Sequence, residues 1–118
     1  MKIDNVEIGI NPYVIAEIGT NAGGNFERCK QMFKVAKECG ANAVKLQKRD
    51  NKTLFTSSLY NQPYENENSY GKTYGLHREA LEFDLMDYIE LKSYANELGI
   101  TFFATAFDFP SVDYTKKM

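Results

Sequence analysis

The stretch Tyr13-Val-Ile-Ala-Glu-Ile-Gly-Thr-Asn-Ala-Gly-Gly24 is an apolar run, broken only by Glu17, that leads directly into a glycine-rich loop. A nearly continuous apolar run of this length is typical of a strand buried on both faces of a parallel sheet. From Asn25 onward, apolar residues recur at helical spacing, with Asn25 as the N-cap and Gly40 just past the helix end. A second apolar strand, 41–47, completes a segment of the size of one strand–helix–strand unit.

The same alternation continues further along the chain. Residues 84–98 form the clearest predicted helix, with Asp84 as the N-cap and Gly99 as the terminator. Residues 100–105 are a third apolar strand, and a last helix is predicted to begin at Asp108. Alternating strands and helices predict an α/β fold with parallel pairing and right-handed crossovers. A doubly wound sheet and a barrel both fit this pattern, and periodicity does not separate them.

Two segments lie outside this alternation. Residues 1–12 form a short alternating segment closed by Pro12, which predicts a small hairpin or a strand that plugs a barrel. Residues 48–83 are rich in Asn, Tyr, Ser and Gly and are predicted to be irregular. This connection is far longer than the usual link between a strand and a helix, and connections of that length are usually functional or disordered.

Composition narrows the class of protein. The chain has 118 residues, of which 43% are hydrophobic and 25% charged, and its formal net charge is −2. We expect one soluble globular domain whose partners are small molecules and neither nucleic acid nor membrane. No stretch approaches the roughly 20 apolar residues of a membrane span and no signal-peptide core is visible, so a cytoplasmic location is expected. Cys29 and Cys39 are predicted to be free thiols, because ten helical residues separate them.

Candidate site residues follow from the places where the strands end. In parallel α/β folds, ligands bind at the carboxyl ends of the strands. Glu17 and Lys45 most need explanation, because a charge within an apolar strand is costly to bury unless it is paired or functional. The two could pair with each other, or act as an acid or base beside a cation that holds a phosphate or carboxylate, and both can hold together. The polar candidates at the strand ends are Glu17, Asn21, Lys45, Gln47 and Thr105.

Other polar groups carry weaker signals. The loop 19–24 precedes a helix N-terminus, where free backbone N–H groups favour anions, but a tight turn explains it equally well. His77 is the only histidine, lacks a second ligand at metal spacing and is predicted to make a polar loop contact. Arg78 could bind an anion or cap a helix. Four tyrosines are predicted to pack within the long connection: Tyr60, Tyr64, Tyr70 and Tyr74.

Four sequence motifs are spread over nearly the whole chain. In chain order they are Ala16-Glu-Ile-Gly19 with Asn21, Ala43-Val-Lys-Leu-Gln-Lys48, Thr73-Tyr-Gly-Leu-His-Arg-Glu-Ala-Leu-Glu82 and Phe103-Ala-Thr-Ala-Phe-Asp108. In this order they resemble the N-terminal barrel of the sialic acid synthase family. The resemblance implies that residues 1–118 are the N-terminal, incomplete portion of a (β/α)8 TIM barrel, with no second domain. It implies an enzyme that condenses phosphoenolpyruvate with an N-acetylated amino sugar of the N-acetylmannosamine type. The expected products are a sialic-acid-like nonulosonic acid and phosphate.

The resemblance also implies roles for individual residues. Glu17 matches the family's active-site glutamate, expected near the reacting carbonyl of the sugar. Lys45 matches a lysine that holds phosphoenolpyruvate, and Thr105 lies where the third strand reaches the same ligand. Asn66 or Asn68 matches a loop asparagine that contacts substrate.

The resemblance further implies a divalent metal, Mn2+ or Mg2+, in the full-length enzyme. The family's metal-binding histidines and second substrate lysine are expected outside these residues. No metal ligand is therefore predicted in this segment, which on its own is expected to be inactive. The full-length protein could form a homodimer.

The sequence departs from the family pattern at Ala106, where proline is common, and at Ala22-Gly23, where many members have a histidine. Two other functions stay open. One is a non-catalytic α/β module that binds an anionic metabolite through Lys45 and the glycine loop. The other is a different phosphoenolpyruvate-using barrel, such as a sugar-acid phosphate synthase. The sequence does not specify which sugar is used or whether that sugar carries a phosphate.

Overall fold

The computed structural model describes all residues from 1 to 118 and contains five strands and six helices. In chain order these are β1 (Lys2–Ile3), β2 (Val6–Glu7), β3 (Ile15–Gly19), α1 (Phe26–Glu38), β4 (Ala43–Lys48), α2 (Asn51–Leu54), α3 (Ser57–Tyr60), α4 (Tyr74–Glu79), α5 (Leu85–Leu98), β5 (Thr101–Ala106) and α6 (Phe109–Thr115). β1 and β2 pair antiparallel, which confirms the hairpin prediction for the first residues. No helix is both long enough and apolar enough to span a bilayer.

The central sheet is parallel and has the order β3-β4-β5. Its register places Lys45 beside both Glu17 and Phe103, and places Gln47 beside Thr105. Parallel pairing confirms the predicted α/β fold, and each predicted strand overlaps an observed one. The register of β3 against β4 shifts just after Glu17, where the chain enters the glycine loop.

Helices cover one face of this sheet and leave the other open. Val44 and Leu46 of β4 belong to the apolar core, together with side chains of α1 and α5. Alternate residues such as Lys45 point to the opposite face, which we call the open face. There Ile15 is 44% exposed and Phe103 is 37% exposed. The prediction of strands buried on both faces is therefore wrong for residues 1–118, because no element among them covers the open face.

The two long helices begin and end at the predicted capping residues. Asn25 caps α1 by accepting a hydrogen bond from the Arg28 N–H at 2.8 Å, and Gly40 follows the helix end with φ +87°. Asp84 caps α5 in a reciprocal capping box with Asp87. These contacts satisfy backbone groups that the first and last helical turns leave without partners. Local sequence therefore sets both boundaries.

The long connection 48–83 is more regular than the sequence predicts. It contains the short helices α2, α3 and α4, which begin at the polar N-caps Asp50, Thr56 and Thr73. Helices of four to six residues are too short to show an apolar period, so the sequence gives no signal for them. The prediction that the tyrosines pack within this segment is confirmed, for example by the rings of Tyr64 and Tyr74, whose centroids are 5.6 Å apart.

The glycine loop after β3 packs against the end of α4. Gly24 has φ +71°, and a Cβ atom at this position would lie 2.0 Å from the Ala80 carbonyl oxygen. Gly23 also has a positive φ, and a Cβ there would lie 2.8 Å from the Tyr70 hydroxyl. The loop is therefore better explained as a tight turn than as an anion-binding site. A carbonyl oxygen packed against the loop repels an anion.

Both cysteines are free thiols, as predicted. Cys29 lies fully buried in the apolar core, whereas Cys39 is exposed at the end of α1. Burial, with a smaller effect of the nearby Asp87 charge, raises the pKa of Cys29 to about 12. The Cys29 thiol therefore stays protonated and serves as a small apolar core residue.

Replacement of Gly99 by alanine tests the boundary at which α5 ends, just before β5 begins. Gly99 ends α5 with φ +66°, and the nearest atom to an added Cβ would be Lys37 Nζ at 3.8 Å. We expect Gly99→Ala to lower the free energy of unfolding by about 1 kcal/mol, because only the left-handed backbone is penalised. Urea denaturation measures this loss, and Gly99→Asn should lose less because asparagine tolerates that conformation. A loss of more than about 3 kcal/mol would show a steric clash that the structure does not contain.

Candidate functional site

Glu17 and Lys45 form an ion pair on the open face of the sheet. Lys45 Nζ lies 2.6 Å from Glu17 Oε2, and the two side chains are 28% and 42% exposed, respectively. The prediction that these residues pair with each other is confirmed. A partly exposed ion pair contributes little net stability, about 0–1 kcal/mol, so a ligand can replace either partner at small cost. The pair thus offers a carboxylate and an ammonium group side by side to an incoming molecule.

Gln47 extends this site toward the carboxyl end of β4. It lies on the same face as Lys45 and pairs with Thr105 on the neighbouring strand. Gly19 leaves room for the side chains around it, since an added Cβ would lie 3.3 Å from Glu17 Oε1 and 3.4 Å from Gln47 Nε2. Strand pairing therefore gathers four predicted residues, which we call the open-face cluster: Glu17, Lys45, Gln47 and Thr105.

The predicted asparagines are not part of this cluster. Asn21 is exposed in the glycine loop beyond β3. Asn66 and Asn68 are exposed in the connection between α3 and α4, where Asn66 Oδ1 accepts a hydrogen bond from the Asn68 N–H at 2.9 Å. None of the three donates to or accepts from a residue of the open-face cluster. Their predicted contacts with substrate stay predictions.

Arg49 is a site residue that the sequence analysis missed. Its Nη2 atom donates to Gln47 Oε1 over 2.7 Å, and its guanidinium Cζ lies 3.8 Å from the centroid of the Phe107 ring. Burial, and then the positive charge of Arg78, lower the pKa of Arg49. The strand-end rule that selects Gln47 would also have selected Arg49, which follows β4 directly.

A buried ion pair supports the site from the helix-covered face. Lys48 Nζ lies 2.8 Å from Glu82 Oε2, and the two side chains are only 11% and 10% exposed. Lys48 Nζ also donates to the Phe83 carbonyl oxygen at 3.3 Å, and the Arg49 N–H donates to Glu82 Oε2 at 3.4 Å. These bonds join the end of β4 to the segment that enters α5 and fix the backbone from which Arg49 projects.

His77 makes a polar contact within the long connection, as predicted. Its Nδ1 atom accepts a hydrogen bond from the Tyr70 N–H at 3.2 Å, and its ring centroid lies 4.6 Å from that of Tyr64. Burial, and then the charge of Arg78, lower the pKa of His77, so the ring is neutral at pH 7. No group of three or more His, Cys, Asp or Glu side chains in the chain could hold a metal ion.

Comparison with known proteins identifies relatives along most of the chain. The NeuB family model matches residues 32–118. N-acetylneuraminate-9-phosphate synthase of Mus musculus is 42% identical over 106 residues, which cover 90% of this chain and 30% of that protein. N,N'-diacetyllegionaminic acid synthase of Legionella pneumophila is 36% identical over 103 residues, which cover 86% of this chain and 29% of that protein. The chain thus spans less than a third of the length of these curated relatives.

Solved structures of two bacterial proteins resemble this fold. One is the N-acetylneuraminic acid (sialic acid) synthetase of Leptospira borgpetersenii in complex with citrate, with a TM-score of 0.74, 27% identity, and coverage of 99% of this chain and 37% of that one. The other is the spore coat polysaccharide biosynthesis protein spsE of Bacillus subtilis, with a TM-score of 0.57, 26% identity, and coverage of 88% and 26%. The α/β fold therefore resembles that of sialic acid synthase structures. With its family match extending over more than half of its length, the chain belongs to the NeuB family.

Proposed function

We propose that this chain is the N-terminal part of an enzyme that condenses phosphoenolpyruvate with an N-acetylated amino sugar to give a nonulosonic acid and phosphate. The observation that carries this proposal is the accessible ion pair of Glu17 and Lys45, whose charged atoms lie 2.6 Å apart on the open face of a parallel sheet. Relatives named as synthases of N-acetylneuraminate-9-phosphate and of diacetyllegionaminic acid support this class of product.

A (β/α)8 barrel is the architecture that we propose for the full-length domain, with residues 1–118 as its N-terminal portion. β3 pairs only with β4, so its other edge is free to pair with another strand. Exposed apolar side chains just before β3 and on the open face support further strands in these places, since Val14 is 48% exposed and Phe103 is 37% exposed. In such a barrel the open-face cluster would face the interior, at the end where barrel enzymes bind their ligands.

In this proposal the open-face cluster would supply a cation, a carboxylate and two hydrogen-bonding side chains to the condensation. The methylene carbon of phosphoenolpyruvate bonds to the carbonyl carbon of the sugar, whose oxygen takes up a proton. The attack uses the electrons of the enol double bond and leaves a cationic carbon that bears the phosphate ester. Water adds to this carbon and loses a proton, and phosphate then leaves as the keto group of the product forms. Lys45 would hold the anionic groups of phosphoenolpyruvate, while Glu17 would lie near the sugar carbonyl and exchange protons there. Gln47 and Thr105 would orient the substrates by hydrogen bonds, with further contacts from Asn21 and the asparagines of the long connection, Asn66 and Asn68.

A divalent metal, Mn2+ or Mg2+, is part of the proposal for the full-length enzyme. The acidic residues of this segment do not gather into a ligand set, so the metal ligands would come from outside residues 1–118. Assembly of the full-length protein as a homodimer and its cytoplasmic location stay predictions.

The competing functions have less support. The first alternative is a module that binds an anionic metabolite through Lys45 and the glycine loop. The Ala80 carbonyl oxygen packs against Gly24, so this loop does not offer an anion a favourable binding surface. A different phosphoenolpyruvate-using barrel is disfavoured by the match of residues 32–118 to the NeuB family.

A coupled assay of the full-length protein tests the proposed reaction. With phosphoenolpyruvate, Mn2+ and either N-acetylmannosamine or its 6-phosphate, we expect equal molar loss of both substrates, release of phosphate, and a nonulosonic acid identified by mass spectrometry. Omission of the sugar should abolish phosphate release, which separates condensation from simple hydrolysis. Failure to form such an acid from a panel of N-acetylated amino sugars would refute the proposal.

A further inference from the structure

The side-chain amide of Gln47 is held in one orientation by Arg49. Arg49 Nη2 donates to Gln47 Oε1 over 2.7 Å, and this is the only hydrogen bond of the Gln47 side chain. A guanidinium group has donors and no acceptor, so the amide oxygen must face Arg49 and the amide nitrogen must point away from it. Arg49 therefore decides which end of the amide Gln47 presents to the rest of the open face.

The nitrogen end of this amide lies beside the Glu17 side chain. An added Cβ on Gly19 would lie 3.4 Å from Gln47 Nε2 and 3.3 Å from Glu17 Oε1, so the two atoms border the same point. Lys45, which pairs with Glu17, precedes Gln47 by two residues and points to the same face of β4. Because Gln47 Nε2 donates to no group of the chain, its N–H donors are free next to this ion pair.

Arg49 is ordered by contacts on its side chain and on its backbone. Its guanidinium Cζ lies 3.8 Å from the centroid of the Phe107 ring, and the Phe107 N–H donates to the Lys48 carbonyl oxygen at 3.1 Å. The Arg49 N–H donates to Glu82 Oε2 at 3.4 Å. A side chain that is already ordered loses little entropy when a ligand binds. The pair of Arg49 and Gln47 is therefore arranged before any ligand arrives.

We propose that Arg49 is a positioning residue that acts through Gln47, keeping the Gln47 N–H donors directed at an anionic group of phosphoenolpyruvate held by Lys45. This inference rests on the proposed function, in which Lys45 binds that substrate. The oxygens of a carboxylate or phosphate accept hydrogen bonds from an amide nitrogen, whereas an amide oxygen would repel them. Arg49 itself touches no substrate, and its contribution is the order that it gives to the Gln47 side chain.

Calorimetric titration of phosphoenolpyruvate into full-length variants measures this contribution. Arg49→Met keeps an unbranched stem against Phe107 but has no donor, and it should raise Kd about two- to tenfold, the range for ordering one mobile side chain. Arg49→Lys restores a cation and a donor and should recover part of the loss. Lys34→Met, at an exposed ion pair on α1, is the control and should bind the substrate as the parent does.

A double-variant cycle tests whether Arg49 acts through Gln47. Gln47→Met removes the amide and should raise Kd roughly ten- to hundredfold, the range for loss of a hydrogen bond to a charged group. In that background Arg49→Met should change Kd by less than about twofold, because no amide remains to be oriented. The same loss from Arg49→Met with and without Gln47 would overturn the positioning role, since it would reveal a direct contact or a general effect of charge.

The variant Gln47→Glu tests the direction of the amide. Its carboxylate can still accept from Arg49 but presents an oxygen to the substrate, so Kd should rise at least as much as in Gln47→Met. Binding at the parent level would show that the substrate does not require N–H donors at position 47, and the inference would be wrong.

Turnover of the same proteins separates this inference from the proposed reaction. If the Kd values follow the expected cycle but no N-acetylated amino sugar is condensed, the proposed reaction fails while the positioning role stands. If condensation occurs but Arg49→Met and Gln47→Met weaken phosphoenolpyruvate binding independently, the reaction stands and the positioning role fails.

Discussion

Replacing Lys45 by methionine in the full-length protein is expected to reduce kcat/KM for phosphoenolpyruvate by about a thousandfold, similar to the loss of one charge-stabilising donor in other enzymes. The lysine ammonium is the cation of the open-face cluster, and it lies 2.6 Å from the Glu17 carboxylate. Without it, the anionic substrate would approach an uncompensated negative charge. Steady-state kinetics with phosphoenolpyruvate as the varied substrate measure this loss.

Stability should change little in the same variant. The ion pair is partly exposed and is expected to contribute at most about 1 kcal/mol to folding, so Lys45→Met should keep nearly the parent Tm. Lys34→Met, at an exposed ion pair on α1, provides the matched control and should retain full activity. If Lys45→Met kept more than a tenth of the parent kcat/KM, the proposed role of Lys45 would be wrong.

Breaking the buried ion pair of Lys48 and Glu82 is expected, in contrast to Lys45→Met, to reduce mainly the stability of the protein. Glu82→Leu leaves the Lys48 ammonium, in a side chain only 11% exposed, without its carboxylate. The free energy of unfolding should fall by about 3–5 kcal/mol, as for other buried pairs that lose one partner. Chemical denaturation of variant and parent protein measures the difference.

Two further variants give this prediction its controls. The double variant Lys48→Met/Glu82→Leu removes both charges and should recover much of the lost stability, because no buried charge is left unpaired. Lys116→Met breaks an ion pair whose side chains are 70% and 73% exposed, and should cost less than about 1 kcal/mol. Equal losses from Glu82→Leu and Lys116→Met would contradict the role given to burial.

Most of the regular structure could be predicted because its signals are local. Asn25 and Asp84 cap the two long helices by bonds to residues three positions away, and such spacing is readable in the sequence. The short helices of the long connection escaped prediction because four to six residues carry no period. The burial of strand faces was mispredicted for a different reason, since an apolar run indicates a buried strand but not which element covers each face.

The candidate site was predictable where it depends on polar residues within apolar strands. Gln47 and Thr105 lie near the carboxyl ends of their strands, as predicted, whereas Glu17 and Lys45 are each the third residue of a strand and meet through the register of the pairing. The role of Arg49 depends on Phe107, which follows a different strand, and this contact exists only once the sheet has formed. Contacts of this kind have no signature in a single sequence.

The Ala80 carbonyl oxygen packs directly against Gly24. The glycine loop after β3 and the end of α4 therefore depend on each other structurally. Any side chain at position 24 would displace the end of α4, because a Cβ there would lie 2.0 Å from that oxygen. Ala80 is the C-cap of α4, so the displacement would move the end of that helix and the chain that leads toward α5. A substitution in one backbone crevice would therefore disturb the long connection without changing any residue of the open-face cluster.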